Sequence, residues 1–248
     1  MACLHRHSVY DYTEAAQRII ERHSAAGSTA ATAAPPLFLY YASQLVHAPL
    51  QVDDRFLQLY RGGVWEGCDH ARPSVEQAGS PGVCSRRTHN AMMSALDESI
   101  KNITSTLHSS GLWANTLLVF ASDNGGQIGD QGNNLPYRGA KFDFWEGGIR
   151  SAAFIAGPLV PAVVRGGVHR GIVSITDWAP TFLAMAGLPN SSMAAASVPA
   201  MDGIDLCTCW SRPALPHPVG CHPPPHVTES FVTFTDVHDA GTIVCTKL

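Results

Sequence analysis

At 248 residues, with 45% hydrophobic and 15% charged residues, the chain has enough apolar sequence for a sizeable core, in one large domain or two small ones. Its net charge of −4, from 16 basic and 20 acidic residues with no basic cluster, gives no support to nucleic acid as a partner. No apolar run approaches membrane-spanning length, and the first thirty residues hold no apolar signal-peptide core, which predicts either a cytosolic chain or one whose true amino terminus lies upstream.

In chain order, Ala15, Ala16, Ile19 and Ile20 recur at helical spacing among charged residues and predict a surface helix over Glu14 to His23. A small-residue linker, Ser24 to Ala34, ends it. Pro35 and Pro36 then open an apolar run at 37–42 of buried-strand type. His47 follows a few residues later, at the end of that strand. Residues 61–87 are rich in Gly, Pro and Ser and predict a loop insertion. Met93, Leu96, Ile100, Ile103 and Leu107 mark one apolar stripe on a second helix, which Gly111 is placed to end.

Leu117 to Ala121 is a continuous apolar run bounded by Ser122-Asp123-Asn124-Gly125-Gly126. Such a run predicts a strand buried on both faces, as in a parallel sheet, where ligands bind beyond the carboxyl ends of strands. Asp123 and Asn124 are side by side, and a carboxylate next to an amide carbonyl suits a hard cation such as calcium or magnesium. The same four residues also make ordinary turns. Lys141 returns after a short loop with a point positive charge for an anion. A third strand is predicted at 152–156, and a helix over Asp177 to Met185, with Pro180 in its first turn and Gly187 at its end. For Asp177-Trp178 and Asp202-Gly203-Ile204-Asp205, helix capping and turn formation account for the residues. From Pro213 onward, crowded prolines and histidines predict a solvated tail, 211–248.

The chain carries Gln44-Leu45-Val46-His47-Ala48-Pro49-Leu50-Gln51, then Asp123-Asn124-Gly125-Gly126, Arg138-Gly139-Ala140-Lys141 and Trp145-Glu146-Gly147-Gly148. In this order they resemble the sulfatase family, specifically its arylsulfatase B-like branch. The resemblance runs from about Tyr10 to Leu206, so residues 1–210 read as a partial sulfatase domain. It implies an α/β, mostly parallel, alkaline-phosphatase-like fold, incomplete here, and hydrolysis of sulfate esters, either aryl sulfates or sulfated glycosaminoglycan sugars. It further implies that Asp123 and Asn124 are ligands of one calcium ion, that Lys141 contacts the sulfate, and that His47 binds sulfate or donates the leaving-group proton.

The family's nucleophile is a formylglycine made from the cysteine of a Cys-x-Pro-Ser-Arg motif, accompanied by an early Asp-Asp pair and a Lys-x-His; none stands before His47 here. Cys68-Asp69-His70-Ala71-Arg72 has cysteine and arginine at the right spacing but histidine in place of proline, and it follows His47, as the Asp53-Asp54 pair also does. The chain is therefore expected to be a fragment without its nucleophile and inactive as it stands; the alternative is a non-catalytic sulfatase-like binding or scaffold protein. Seven cysteines, Cys3, Cys68, Cys84, Cys207, Cys209, Cys221 and Cys245, show no zinc-type pairing. Asn102-Ile103-Thr104 and Asn190-Ser191-Ser192 are glycosylation sequons, effective only in a secretory compartment. With the resemblance they point to a lysosomal or secreted full-length protein.

Overall fold

The structure, a computed structural model, describes residues 7–29, 35–62, 64, 83–169, 171–188, 201–206, 232–234 and 244–246. Helix α1 spans Ser8–Thr29, longer at both ends than its apolar residues predict. Its buried stripe is Val9, Thr13, Ala16 and Ile20, whereas Ile19 is exposed. Thr13 belongs to the stripe because its hydroxyl is satisfied there: it lies 2.7 Å from the Ser99 hydroxyl and donates to the Val9 carbonyl at 2.5 Å. Strand β1 is only Phe38–Leu39, a third of the predicted run. One helical turn, α2, follows at Asp54–Leu57.

Helix α3 is Val83–Ser109, so the end of the predicted 61–87 loop is already helical. Leu96, Ile100, Ile103 and Leu107 are buried as predicted, and only the first position of the stripe differs: Met92 is 1% exposed and Met93 39% exposed. Gly111, at φ +72°, ends the helix as predicted. Its N–H bonds to the His108 carbonyl and that of Leu112 to Leu107, the paired contacts of a Schellman cap. After a 3-10 turn come strand β2, Thr116–Ala121, the single helical turn α4, Glu146–Ile149, and strand β3, Ser151–Ala156. A 3-10 turn at Ile175–Asp177 runs into helix α5, Trp178–Met185. Gly187 and Leu188 close it with the same cap, bonding to Ala184 and Leu183. Strands β4, Val232–Phe234, and β5, Val244–Thr246, lie within the segment predicted as a tail and pair into the same sheet.

The sheet order is β1-β5-β2-β3-β4. Contrary to the expectation of a mostly parallel sheet, three of the four ladders among the described residues are antiparallel, and only β3 with β4 is parallel. The sequence signal was burial, and burial is real. Leu117 and Val119 pack with Ala153, Val173 and Trp178 on one face, while Leu118 packs with Ala16, Ile20, Ile103 and Leu107 on the other. Each leucine, isoleucine or valine among them contributes roughly 2 kcal/mol. Two-sided burial, however, says nothing about strand direction. The connection from β2 to β3 contains no crossover helix longer than α4, so the chain returns antiparallel. Since β1 and β2 are both antiparallel to β5, they run the same way. Their carboxyl ends therefore lie on one edge with the amino end of β3, which corrects the placement of the site at carboxyl ends throughout.

Candidate functional site: a histidine–lysine pair above β2

The site is built on the loop that leaves β2. The Ser122 N–H still holds the sheet, donating to the Ala152 carbonyl at 2.9 Å, and the Ser122 hydroxyl turns forward to the Asn124 carbonyl at 2.9 Å. Asp123 is thereby lifted out of the sheet and exposed, with Asn124 half-buried beside it. Beyond them, the loop is fixed by backbone approaching backbone. The Gly125 N–H donates to the Gly148 carbonyl at 2.8 Å, and the Gly147 N–H to the Arg138 carbonyl at 2.8 Å. A Cβ on Gly125 would collide with the Gly147 carbonyl, and one on Gly147 with the Gly139 carbonyl, so only glycine permits this approach.

Asn134, which no sequence signal singled out, completes the frame. Its Oδ1 accepts from the Gly126 N–H at 2.8 Å, and its Nδ2 donates to the Gly126 carbonyl at 2.7 Å, imitating a neighbouring strand. The Lys141 N–H then donates to the same Gly126 carbonyl at 3.3 Å, bringing Lys141 back to the turn that follows Asp123 and Asn124. Arg138 stacks on the Trp145 ring at 3.9 Å and Arg150 on Tyr137 at 4.6 Å, tying the loop's outer turns.

His47 arrives from the other direction, on the segment after β1. Its Nδ1 lies 2.8 Å from the Ala48 carbonyl oxygen, which can only accept, so Nδ1 carries a proton. Nε2 faces the Lys141 Nζ at 3.1 Å and accepts from it. Two residues 94 positions apart thus share one hydrogen bond. His47, Lys141, Asp123 and Asn124 all line one open groove of about 1460 Å³, whose apolar wall includes Phe38, Met93 and Phe182.

The oxygen donors fit a calcium ion only in part. The Asn124 Nδ2 donates to the Gly125 carbonyl at 3.1 Å, which leaves its Oδ1, with the carboxylate of the preceding residue Asp123, as an oxygen donor. Two ligand side chains, with three oxygens between them at most, fall short of the six to eight that calcium takes. Among the described residues no group of three or more His, Cys, Asp or Glu could hold a metal. Asp53 is not a spare ligand: one oxygen accepts from the Tyr10 hydroxyl and the other lies 3.1 Å from the His7 Nε2. That carboxylate and burial together raise the Tyr10 pKa, burial being the larger cause.

The sulfatase family model matches residues 6–188, most of the chain and every residue of the groove's charged rim. This chain belongs to the sulfatase family. Arylsulfatase J of Mus musculus is 37% identical over 180 residues, which are 73% of this chain and 25% of that protein. N-acetylgalactosamine-6-sulfatase of Mus musculus is 29% identical over 175 residues, 69% of this chain and 28% of that one. Among solved structures, Ps i-CgsB in complex with k-i-k-neocarrahexaose superposes with a TM-score of 0.55 at 26% identity, over 80% of this chain and 37% of the other. The chain thus spans about a quarter of the length of the curated relatives it matches, and its α/β architecture is part of the sulfatase fold.

The remaining sequence predictions fall on either side of this site. Asp177 is structural: it is 6% exposed, its Oδ2 accepts from the Ser174 N–H and its Oδ1 from the Ile204 N–H, both at 2.8 Å. Asn102 sits within α3, half-buried, and Asn190 lies outside the described residues. Cys68 and its neighbours, together with most of the 61–87 segment, also lie outside them. No described helix is long and apolar enough to cross a membrane.

Proposed function

We propose that this chain carries the sulfate-recognising part of the active site of a sulfuric ester hydrolase, whose substrate is an aryl sulfate or a sulfated glycosaminoglycan sugar. The observation that carries the reading is the Lys141–His47 hydrogen bond at the mouth of the groove. An ammonium has three donors, and Lys141 uses one of them on His47, leaving the others for sulfate oxygens. With Nδ1 committed to the Ala48 carbonyl, the His47 Nε2 is the atom that would hold the proton for the departing alcohol once Lys141 turns its donor from Nε2 to the sulfate. Asp123 and Asn124 would contribute to a calcium site that other residues complete. The full-length protein would be lysosomal or secreted, where the Asn102 and Asn190 sequons become acceptors.

Calorimetric titration of the chain with inorganic sulfate tests the anion site. Lys141→Ala should weaken binding about tenfold, the loss of one charge-assisted contact; wild-type and variant chains that bind alike would refute the assignment. The sequence contains no Cys-x-Pro-Ser-Arg, so the chain alone should not turn over 4-nitrophenyl sulfate even with calcium present. Turnover that vanishes in Cys68→Ala or Cys84→Ala would overturn this and make one of those cysteines the nucleophile. The same missing motif favours a second reading, a non-catalytic sulfatase-like binding or scaffold protein. An in-frame Cys-x-Pro-Ser-Arg in the coding sequence upstream of Met1 decides for the enzyme; its absence decides for the binding protein.

A further inference from the structure

The residue after Lys141 occupies a position that its side chain makes costly. Residues Ala140 to Asp143 form a tight turn closed twice: the Asp143 N–H donates to the Ala140 carbonyl at 2.9 Å, and the Ala140 N–H donates to the Asp143 Oδ2 at 2.9 Å. Phe142 is the third residue of that turn and has φ 79°, the value that the third position of a type II turn requires. Glycine or asparagine normally stands there, and a bulky side chain at positive φ is an outlier. No core packing offsets the strain, because the Phe142 side chain is 82% exposed. Strain that packing does not explain is found where a side chain must be presented to something.

The ring is presented beside the anion site. The Lys141 Nζ lies 5.5 Å from the centre of the Phe142 ring and 3.1 Å from the His47 Nε2. The ring stands next to Lys141 just outside the residues that line the groove, so an ester substituent that leaves the groove past Nζ on that side would meet it. We propose that Phe142 is a specificity-determining residue: its ring is the wall against which a ring-bearing alcohol, aromatic or pyranose, packs while its sulfate is held at Lys141. This rests on the sulfate-site reading above and adds which part of the substrate is recognised, and by what. Ring faces at offset or edge-on separations of about 4.5–7 Å attract beyond simple area burial, so the selectivity is for a ring over an equally charged ester that lacks one.

The test compares three probes on the chain itself, inorganic sulfate, methyl sulfate and 4-nitrophenyl sulfate, by calorimetry or ligand-observed NMR. Wild type should bind 4-nitrophenyl sulfate about fivefold more tightly than methyl sulfate, the size of one aromatic pair. Phe142→Gly should bring that ratio near one, leave inorganic and methyl sulfate unchanged, and leave the melting temperature unchanged or raised, since glycine relieves the turn. Phe142→Trp should keep the ratio. A ratio unaffected by Phe142→Gly overturns the proposal. So does an equal loss for all three probes, which would mean that the ring serves only to hold the Lys141 ammonium. A wild-type chain that binds no inorganic sulfate overturns the sulfate site and this inference together, whereas sulfate binding with an unchanged ratio overturns this inference alone.

Discussion

Two acid-bearing segments flank the sheet and are held in opposite ways. In the loop 122–150, Asp123 is exposed, and the backbone around it is positioned by glycines stacked on carbonyls and by Asn134. In the corner made by 174–188 and 201–206, Asp177 is itself the joint. Its two oxygens accept from Ser174 and Ile204, and Thr181 below it accepts from the Leu206 N–H at 2.9 Å. In the sequence each aspartate has a local turn or capping reading, yet burial divides them. A carboxylate satisfied inside the protein locks two segments together, while one kept outside a rigid backbone frame stays open to a ligand.

The largest effect that separates the two should come from removing each carboxylate. Asp177→Ala leaves the buried Ser174 N–H and the half-buried Ile204 N–H without acceptors and should cost about 3 kcal/mol in a urea melt. Asp123→Ala, at an exposed position, should stay within about 0.5 kcal/mol. Equal losses would end the distinction. Next in size, Gly125→Ala attacks the frame rather than the acid. Its methyl group meets the Gly147 carbonyl, and about 2 kcal/mol should be lost together with sulfate binding. Retained sulfate affinity in a folded Gly125→Ala chain would show that the glycine frame does not position Lys141.

A smaller effect is pH-dependent and draws on one histidine near each segment: His89, which lines the groove, and His169, just before the corner. Burial pushes both imidazoles below their ordinary value, helped for His89 by the Arg86 guanidinium. Each binds fewer protons folded than unfolded. Stability should therefore be full above about pH 6.5 and fall as the pH drops below it. Urea melts between about pH 8 and pH 5 measure the slope, and His89→Asn should flatten it; an unchanged slope would remove His89 from the account. The smallest effect concerns calcium. Two ligands on one loop should make the dissociation constant high, so calcium added below that concentration should stabilise the chain by less than about 0.4 kcal/mol, the value reached when free calcium equals the dissociation constant. A large rise in melting temperature that Asp123→Ala abolishes would mean that further carboxylates close the site.

What could be read from the sequence was whatever local chemistry decides. The run at 117–121, the stops at Gly111 and Gly187, and the structural role of Asp177 each depend on a few neighbouring residues. Long-range decisions were not legible in that way. The direction of β3 against β2 depends on how the chain between them returns, and the apolar run looks the same either way. Thr13 and Ser99 carry no signal in the sequence, and their burial rests on hydroxyls that meet 86 residues apart. The meeting of His47 with Lys141 was approachable only through the family resemblance, because no periodicity links them. Asn134 gave no signal, since an asparagine that imitates a strand is indistinguishable in sequence from one that makes a turn.

The glycine-on-carbonyl frame of the 122–150 loop also divides labour between main chain and side chains. Because Gly125, Gly147 and Gly148 meet their neighbours through backbone atoms alone, the position of Lys141 does not depend on the bulk of the side chains that alternate with them. Exposed positions such as Phe142 and Phe144 are then free to change without moving the charged pair. A loop built this way is modular: the side chains at its rim can be rewritten by substitution while the backbone frame beneath them is inherited intact.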